Sequence, residues 1–286
     1  MDIGTNTTRL LVAEREVGRV REVAAVRRFL RLVPDDDGAI PAPAVAELAN
    51  IVAAHVRTAH GHGVQEVRIV GTAAIRGARN RDDLCAAVYE VAGVHIEVLS
   101  SEQEATLAFA GALATLARAP AGAIGVIDVG GGSSELVTGT AHDGVTWWTS
   151  LPIGSGTLAA RHLRSDPPAL DELAAVRAEI DVALEGIHPP AAEVVLAVGG
   201  SATTLAAAAG GELAPATIAR ILAVLLAEPA SEAAKRLGLP VERVRLLPAG
   251  LLALEATWEA FGPVPLHIAL GGLREGVVLR ALDRRS

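Results

Sequence analysis

The stretch Asp2-Ile3-Gly4-Thr5-Asn6-Thr7-Thr8 decides the fold, because it recurs 126 residues later as Asp128-Val129-Gly130-Gly131-Gly132-Ser133-Ser134-Glu135. Each copy has an Asp, a Gly two positions on, small or hydroxyl residues, and then a β-like apolar run. Such an internal echo indicates a duplicated chain in which one loop of this kind opens each half.

Around the two copies, short β-branched runs alternate with longer Ala- and Leu-rich stretches, which is typical of an α/β protein. The predicted strands are 9–14, 66–71, 95–99, 123–129, 135–139, 145–151, 193–198 and 265–270. The sequence APAG at 119–122 is the candidate hinge between two domains.

Composition excludes several classes of protein. The 286 residues carry a net charge of −8, which argues against a protein that coats nucleic acid. No apolar run reaches the roughly 18 residues of a membrane span, and no signal peptide is evident. The single cysteine, Cys85, excludes an internal disulfide framework and fits a reducing cytoplasm, where we expect the protein to act. Aromatic residues are only 2%, so we expect an aliphatic core.

The two Gly-containing loops predict phosphate binding, because consecutive backbone N–H groups in a tight turn form a concavity for phosphate oxygens. Neither loop is a Walker A motif, since no Gly-Lys-Ser/Thr follows. Neither is a dinucleotide fingerprint, since GGGSS precedes a predicted strand rather than a helix. We expect a strand–loop–strand hairpin in each of two lobes, with the two phosphate loops facing each other across a cleft. The alternative is that GGG is only a tight turn.

Acidic residues flank both loops. Asp2, Asp128 and Glu135 beside bound phosphates would repel them without a cation, and carboxylate and phosphate oxygens are the ligands of Mg²⁺. These three are therefore the candidate metal ligands, although the sequence does not select among them.

Glu104 has two interpretations. It stands three residues after Ser101 at the start of a predicted helix, and Ser-x-x-Glu is a capping box. The local pattern favours the cap over catalysis, and Glu102 competes as a simple first-turn acid.

Two further segments could bind anions. Arg76 follows the strand ending near Val70 and could bind phosphate through both arms of its guanidinium, or could solvate a helix start. Gly200 and Ser201 open another helix, where they could form a second anion site or allow close helix–strand packing.

Clusters of basic residues and histidines are less specific. The N-terminal arginines alternate with Glu14, Glu16 and Glu22, which favours a solvated hairpin face, with a polyanion track as the alternative. They are Arg9, Arg15, Arg19, Arg21, Arg27, Arg28 and Arg31. The histidines His55, His60 and His62 are interpreted as a solvated helix end rather than a metal site.

Taken in order, the motifs resemble those of the exopolyphosphatase/guanosine pentaphosphate phosphohydrolase (Ppx/GppA) family. The motifs are DIGTNTTRLL, GTAAIRGARN, VLSSEQEA, VIDVGGGSSELV, SLPIG, AVGGSATTLAA and GGLREG, and they span nearly the whole chain. The chain departs from the family after SLPIG, where Ser155-Gly156-Thr157 stand in place of a common Arg.

The resemblance implies an α/β, two-lobed actin-like (ribonuclease H-like) ATPase-type fold with duplicated lobes and an interlobe cleft. It implies an N-terminal lobe at 1–118 and a C-terminal lobe at 123–286. Glu104 aligns with the catalytic glutamate of the family, against the local pattern, and Asp128 and Glu135 align with its other essential acids. The phosphate-binding positions so implied are Gly4, Thr5, Asn6, Arg76, Gly130, Gly131, Gly132 and Ser133, and Gly200 and Ser201 are added as a further candidate pair.

The resemblance also implies Mg²⁺-dependent hydrolysis of a terminal phosphate from inorganic polyphosphate or a guanosine polyphosphate. Many relatives carry further C-terminal helical domains, so we expect a preference for short polyphosphate chains. The alternatives are a guanosine pentaphosphate phosphohydrolase, an ATP-using kinase or ATPase of the same fold, and a non-catalytic phosphate or nucleotide sensor. We expect no nucleic-acid or membrane partner. The Ala- and Leu-rich edge helices would suit a homodimer, although no motif specifies one.

Overall fold

The computed structural model describes residues 1–16, 19–209 and 214–283. Its strands are β1 (Asp2–Ile3), β2 (Thr7–Glu16), β3 (Arg19–Phe29), β4 (Ile69–Gly71), β5 (Ile96–Val98), β6 (Ile124–Val129), β7 (Ser134–Thr140), β8 (Gly144–Leu151), β9 (Val194–Val198) and β10 (Leu266–Ile268). Its helices are α1 (Ala42–Gly61), α2 (Ala73–Gly77), α3 (Arg81–Ala92), α4 (Ser101–Ala114), α5 (Ser155–His162), α6 (Leu170–Leu184), α7 (Gly199–Ala209), α8 (Pro215–Ala227), α9 (Ala230–Leu237), α10 (Val241–Glu259) and α11 (Leu273–Asp283).

The chain forms two compact units. Unit 1 contains Met1–Ala114 together with Leu273–Ser286, and unit 2 contains Thr115–Gly272. The sequence predicted domains at 1–118 and 123–286, so the two divisions differ mainly in the last helix. This helix, α11, packs against α4 and therefore groups with the N-terminal segment.

The sheet of unit 1 has five strands in the order β3-β2-β1-β4-β5. β1 pairs antiparallel with β2 and parallel with β4, and the outer pairs are β2 with β3 and β4 with β5. The N-terminal arginines therefore lie largely on a long hairpin, as predicted, whose second strand forms one edge of the sheet.

The sheet of unit 2 repeats this arrangement in the order β8-β7-β6-β9-β10. Its first three strands are again antiparallel neighbours and its last three are parallel. The echo in the sequence thus corresponds to a duplicated topology, and the predicted actin-like, ribonuclease H-like fold class is confirmed.

Each unit has its own aliphatic core. Residues of β1, β2, α1 and α3 pack together in unit 1, and residues of β6, β9, α6, α8 and α10 pack together in unit 2. Leu, Ile, Val and Ala supply nearly all of these buried side chains, as the low aromatic content predicted. Within the residues that the structure describes, no helix is both long enough and apolar enough to cross a membrane.

The contact between α11 and α4 depends on Gly276. A Cβ atom at this position would lie 2.0 Å from the backbone carbonyl oxygen of Leu107 in α4. Because that neighbour is backbone, a side chain could be accommodated only by moving one helix away from the other. Close helix packing therefore explains the last glycine of the GGLREG motif, Gly276.

The interpretation of the three histidines is wrong for one of them. His60 and His62 are exposed at the end of α1, as predicted, but His55 is only 2% exposed. Within the described part of the chain, neither ring nitrogen of His55 has a hydrogen-bond partner. Its pKa is lowered from the ordinary value of 6.5, first because burial disfavours the charged ring and then because Arg28 is nearby.

Because His55 is buried, we expect the free energy of unfolding of unit 1 to fall at acid pH. The pKa of His55 is lower in the folded state than in the unfolded chain. Below about pH 6.5 the unfolded chain therefore binds more protons at this residue than the folded protein does. Stability is thus fully present above that pH and falls by up to about 1.4 kcal/mol per pH unit below it. Thermal unfolding between pH 5 and 8 should show this slope in the wild type and in His60→Leu, and lose it in His55→Leu. An unchanged slope in His55→Leu would contradict the prediction.

Candidate active site

The two echo loops share one backbone hydrogen bond. The amide of Gly4 donates to the carbonyl oxygen of Thr7 at 3.0 Å, and the amide of Gly130 donates to that of Ser133 at 2.9 Å. Each loop is a turn between antiparallel strands, as predicted, so the sequence match at 2–8 and 128–134 is also a match in local geometry.

The loop of unit 1 is supported from one side by the segment after β3. The amide of Leu32 donates to the carbonyl oxygen of Thr5 at 2.7 Å, and the amide of Leu30 donates to that of Asn6 at 3.2 Å. The side-chain nitrogen Nδ2 of Asn6 is buried and has no acceptor among the described residues. A buried donor without an acceptor is costly, and a ligand oxygen at this loop would satisfy it.

The loop of unit 2 is held by the N-terminus of α5. The amides of Ser155 and Gly156 donate to the carbonyl oxygens of Gly130 and Gly131, each at 2.9 Å. In a trans peptide the N–H points opposite to the preceding C=O. The carbonyls of Gly130 and Gly131 therefore face α5, and the N–H groups of Gly131 and Gly132 point the other way, where they can bind an anion.

The SLPIG motif makes this arrangement possible through Gly154, whose role the sequence analysis missed. A Cβ atom on Gly154 would lie 2.4 Å from the backbone carbon of Gly131 and 2.4 Å from the nitrogen of Gly132. Only glycine permits the two segments to approach this closely. The signal was present as a Gly before small residues, but sequence alone does not show which loop it contacts.

Two carboxylates lie side by side at the ends of β6 and β7. Asp128 and Glu135 are directly opposite in the antiparallel register, which places both side chains on one face of the sheet. Glu135 is 1% exposed, and its Oε1 accepts a hydrogen bond from the hydroxyl of Ser150 at 2.8 Å. Asp128 lies against Gly199, where a Cβ would come within 2.3 Å of its Oδ1 and where φ is +83°. Neither Ser150 nor Gly199 was predicted from the sequence as a residue of the site.

This pair of acids fits a magnesium ion. Among the described residues no group of three or more His, Cys, Asp or Glu side chains converges on one point. Mg²⁺ does not need such a cage, since it is commonly held by one or two carboxylates together with water and substrate phosphates. The oxygen-only donor set of Asp128 and Glu135, next to the phosphate loop, has that character.

Asp2 occupies the corresponding position in unit 1 but has different neighbours. Its partner in the register is Arg9, where Asp128 has Glu135. Burial raises the pKa of Asp2, while the positive charges of Arg9 and Arg274 act in the opposite direction. One carboxylate oxygen, Oδ1, is buried and receives no hydrogen bond from any described residue, so Asp2 could offer a single ligand atom.

Glu104 and Arg76 lie together in unit 1. Glu104 is 7% exposed, and its Oε2 accepts a hydrogen bond from Nη1 of Arg76 at 2.8 Å. The same nitrogen donates to the carbonyl oxygen of Leu99 at 2.9 Å. Since a guanidinium has five N–H groups, the arginine retains donors that no described residue accepts. The structure therefore brings together the predicted catalytic acid and the predicted phosphate-binding arginine.

The local interpretation of Glu104 as a helix cap is wrong. The amide of Gln103 donates to the hydroxyl of Ser100 at 3.1 Å, and the amide of Ser100 donates to Oε1 of Gln103 at 2.9 Å. The capping box is thus Ser100-x-x-Gln103, one residue earlier than Ser101-x-x-Glu104. This shift leaves the Glu104 carboxylate available for Arg76.

Gly200 and Ser201 are packed against α10. A Cβ on Gly200 would meet the guanidinium of Arg243 at 2.6 Å, and one on Gly250 would meet Oγ of Ser201 at 2.4 Å. Ser201 is 3% exposed. This environment favours the close-packing interpretation of the pair, and their phosphate-binding role stays a prediction.

Comparison with known proteins identifies the family. The sequence model of the Ppx/GppA phosphatase family matches residues 11–285. The chain belongs to this family. Exopolyphosphatase 1 of Mycobacterium leprae is 30% identical over 305 aligned positions, which cover 100% of this chain and 89% of that protein. A guanosine-5′-triphosphate,3′-diphosphate pyrophosphatase of Vibrio cholerae is 28% identical, with coverage of 97% and 58%.

Solved structures of the family agree with the fold. The Ppx/GppA family member of Aquifex aeolicus superimposes with a TM-score of 0.81 at 26% identity, covering 100% of this chain and 97% of that one. The resemblance that was inferred from seven motifs is therefore confirmed at the level of both sequence and fold.

Proposed function

We propose that this chain is a Mg²⁺-dependent phosphohydrolase that releases the terminal phosphate of inorganic polyphosphate, preferably of short chains, by direct attack of water. The observation that carries the proposal is the contact between Glu104 and Arg76, because it combines a buried carboxylate with an arginine that retains free N–H donors. The relatives named exopolyphosphatase support the choice of substrate.

In the proposed reaction, Glu104 acts as the general base. Its Oε2 accepts a hydrogen bond from Arg76, which fixes the orientation of the carboxylate. The carboxylate would then accept a proton from a water molecule that is in line with the terminal phosphorus. The described residues offer no activated nucleophile, since Cys85 is only partly exposed on α3 and burial raises the pKa of its thiol.

Each unit is proposed to offer donors for phosphate oxygens. In unit 2 these are the N–H groups of Gly131 and Gly132, because α5 holds the loop carbonyls on the opposite side. The remaining donors of Arg76 would stabilise the charge that spreads over the equatorial oxygens in the transition state. In unit 1, Asn6 would contribute its buried Nδ2 donor.

Asp128 and Glu135 are proposed to hold Mg²⁺, with Asp2 as a further candidate ligand. The ion would neutralise charge on the phosphate oxygens during transfer. Ser150 orients Glu135 through the hydrogen bond to Oε1, which would position the carboxylate for the ion.

A second candidate substrate is guanosine pentaphosphate. The pyrophosphatase of Vibrio cholerae matches 97% of this chain, and both substrates end in a phosphoric anhydride. A cytoplasmic location, the absence of nucleic-acid and membrane partners, and a homodimer are retained as predictions from composition alone.

The test is phosphate release from tripolyphosphate, long-chain polyphosphate, guanosine pentaphosphate and ATP, each with Mg²⁺ and with EDTA. We expect Mg²⁺-dependent release from polyphosphate, with the higher kcat/KM on the shorter chain. Release from guanosine pentaphosphate alone would select the second candidate. Turnover of ATP alone would indicate a kinase or ATPase, and binding without release would indicate a sensor; either result would overturn the proposal.

A further inference from the structure

Three charged residues form a row across the sheet of unit 1. In the register of the strands, Arg27 on β3 is directly opposite Arg9 on β2, and Arg9 is directly opposite Asp2 on β1. Residues paired in this way project from the same face of a sheet. Neighbouring strands are about 4.8 Å apart, so Arg27 is about 10 Å from Asp2 along this row. Asp2 is the residue of the row that adjoins the first echo loop.

The duplicated topology shows what is unusual about this row. Its counterpart in unit 2 contains Asp128, Glu135 and Ser150 on β6, β7 and β8. Arg9 therefore stands where unit 2 has Glu135, and Arg27 stands where it has Ser150. The row of unit 2 suits a cation, whereas the row of unit 1 has exchanged an acid and a hydroxyl for two arginines.

A third arginine comes from α11, which packs against β2 and β3. Partial desolvation lowers the pKa of the Arg27 guanidinium, and the positive charge of Arg274 lowers it further. These two side chains therefore lie near each other. Both of these α11 arginines have acidic neighbours: Arg274 is 3.6 Å from Glu275, and Arg280 is 2.8 Å from Glu97.

Arg27 has no such partner. Among residues 1–16, 19–209 and 214–283, no carboxylate lies within ion-pair distance of its guanidinium, and its charged neighbours are Arg9 and Arg274. Like charges directly opposite on neighbouring strands destabilise a sheet. The residue is nevertheless exposed on an edge strand, where an anion from solvent could reach it and remove the repulsion.

We propose that Arg27, with Arg274 and Arg9, forms an anion-binding subsite on unit 1 that holds a phosphate group of a polyphosphate chain other than the one being cleaved. The guanidinium suits this ligand because its planar N–H donors match two phosphate oxygens at once. The subsite deepens the proposed function and rests on it for the identity of the ligand, since a chain of linked phosphates is the polyanion that this enzyme would meet. Free inorganic phosphate shares the same chemistry, and the experiment separates the two.

The experiment compares Arg27→Gln and Arg27→Lys with Arg21→Gln. Arg21 is the control for net charge, because it lies on the same strand and is already hydrogen-bonded to Glu14. Binding of long-chain polyphosphate and of inorganic phosphate is measured in EDTA by calorimetry, and the Tm of each protein is recorded with and without each anion. EDTA prevents Mg²⁺-dependent turnover, so the measurement does not require hydrolysis.

We expect Arg27→Gln to raise the Kd for long-chain polyphosphate about tenfold, the loss typical of one charged hydrogen-bond donor. Arg27→Lys should lie between this variant and the wild type. Arg21→Gln should change Kd less than about twofold, because it removes only a surface charge. Without anion, Arg27→Gln should have a Tm equal to or above that of the wild type, since repulsion among the arginines is relieved.

Equal weakening by Arg27→Gln and Arg21→Gln would overturn the subsite, since net charge alone would then explain binding. If inorganic phosphate alone reproduced the full rise in Tm, the assignment to a polyphosphate chain would be overturned. The two proposals fail separately. If the wild type releases no phosphate, the proposed hydrolysis is wrong, but the difference in binding between the variants still supports the subsite. If Arg27→Gln binds polyphosphate as the wild type does, the subsite is wrong, but the proposed hydrolysis is unaffected.

Discussion

Replacing Glu104 by Gln is expected to lower kcat for phosphate release from polyphosphate by about 10²–10⁴-fold, the range typical for loss of a general base. The amide still fits beside Arg76 and still accepts its hydrogen bond, so the surrounding structure is retained. It cannot take a proton from water, so KM should change much less than kcat. Steady-state kinetics at saturating Mg²⁺ measure both constants.

Glu102→Gln is the matched control for this experiment. Glu102 lies two residues away on the same first turn of α4, but it is exposed. It should keep kcat within about twofold of the wild type, as is usual for surface substitutions. An active Glu104→Gln enzyme, or equal losses in both variants, would exclude Glu104 as the base.

The second large effect is expected for Gly154→Ala. The added methyl group would lie 2.4 Å from backbone atoms of Gly131 and Gly132, so the loop that is proposed to bind phosphate must move. A displacement of about 1 Å in a catalytic arrangement can cost about 10²-fold in rate, and we expect a loss of at least this size in kcat/KM. Both kcat and KM should be affected, because the loop is proposed to bind both the ground state and the transition state.

Gly61→Ala provides the comparison. A Cβ at Gly61, the last residue of α1, has no neighbour within 4 Å, so this variant should be indistinguishable from the wild type in kcat/KM. Circular dichroism and thermal unfolding establish whether Gly154→Ala is folded. A folded Gly154→Ala protein with wild-type kcat/KM would show that the loop does not bind the reacting phosphate.

The cap at α4 illustrates how far local sequence patterns reach. Ser100-x-x-Gln103 and Ser101-x-x-Glu104 are both valid capping boxes, and they differ only in which residue begins the helix. Tertiary contacts choose between them, because Arg76 on α2 gives Glu104 a partner that Gln103 does not have. The catalytic role predicted for Glu104 came from the family resemblance, which uses information from the whole chain, and the contact with Arg76 is compatible with it.

The histidines of α1 show the same limit. The helix end next to Gly61 was correctly predicted, and His60 and His62 are exposed there. His55 lies on the buried side of the same helix, where it lines a cavity together with Val26 and Arg28 of β3, a strand that is distant in sequence. Helical periodicity gives the direction of a side chain, whereas the neighbour that covers it depends on packing.

Sequence by itself determined the duplicated α/β fold, because the echo at 2–8 and 128–135 repeats the local turn chemistry that opens each sheet, and because strand and helix periods are local properties. It also determined the family and the acids and glycines of the loops. Only the tertiary structure decided that α11 joins unit 1, that Gly154 and α5 hold the second echo loop, and that Arg27 faces Arg9 with no ion-paired acid among the described residues. These features depend on contacts between residues far apart in the chain, and such contacts are specified by strand register and close packing rather than by any local pattern.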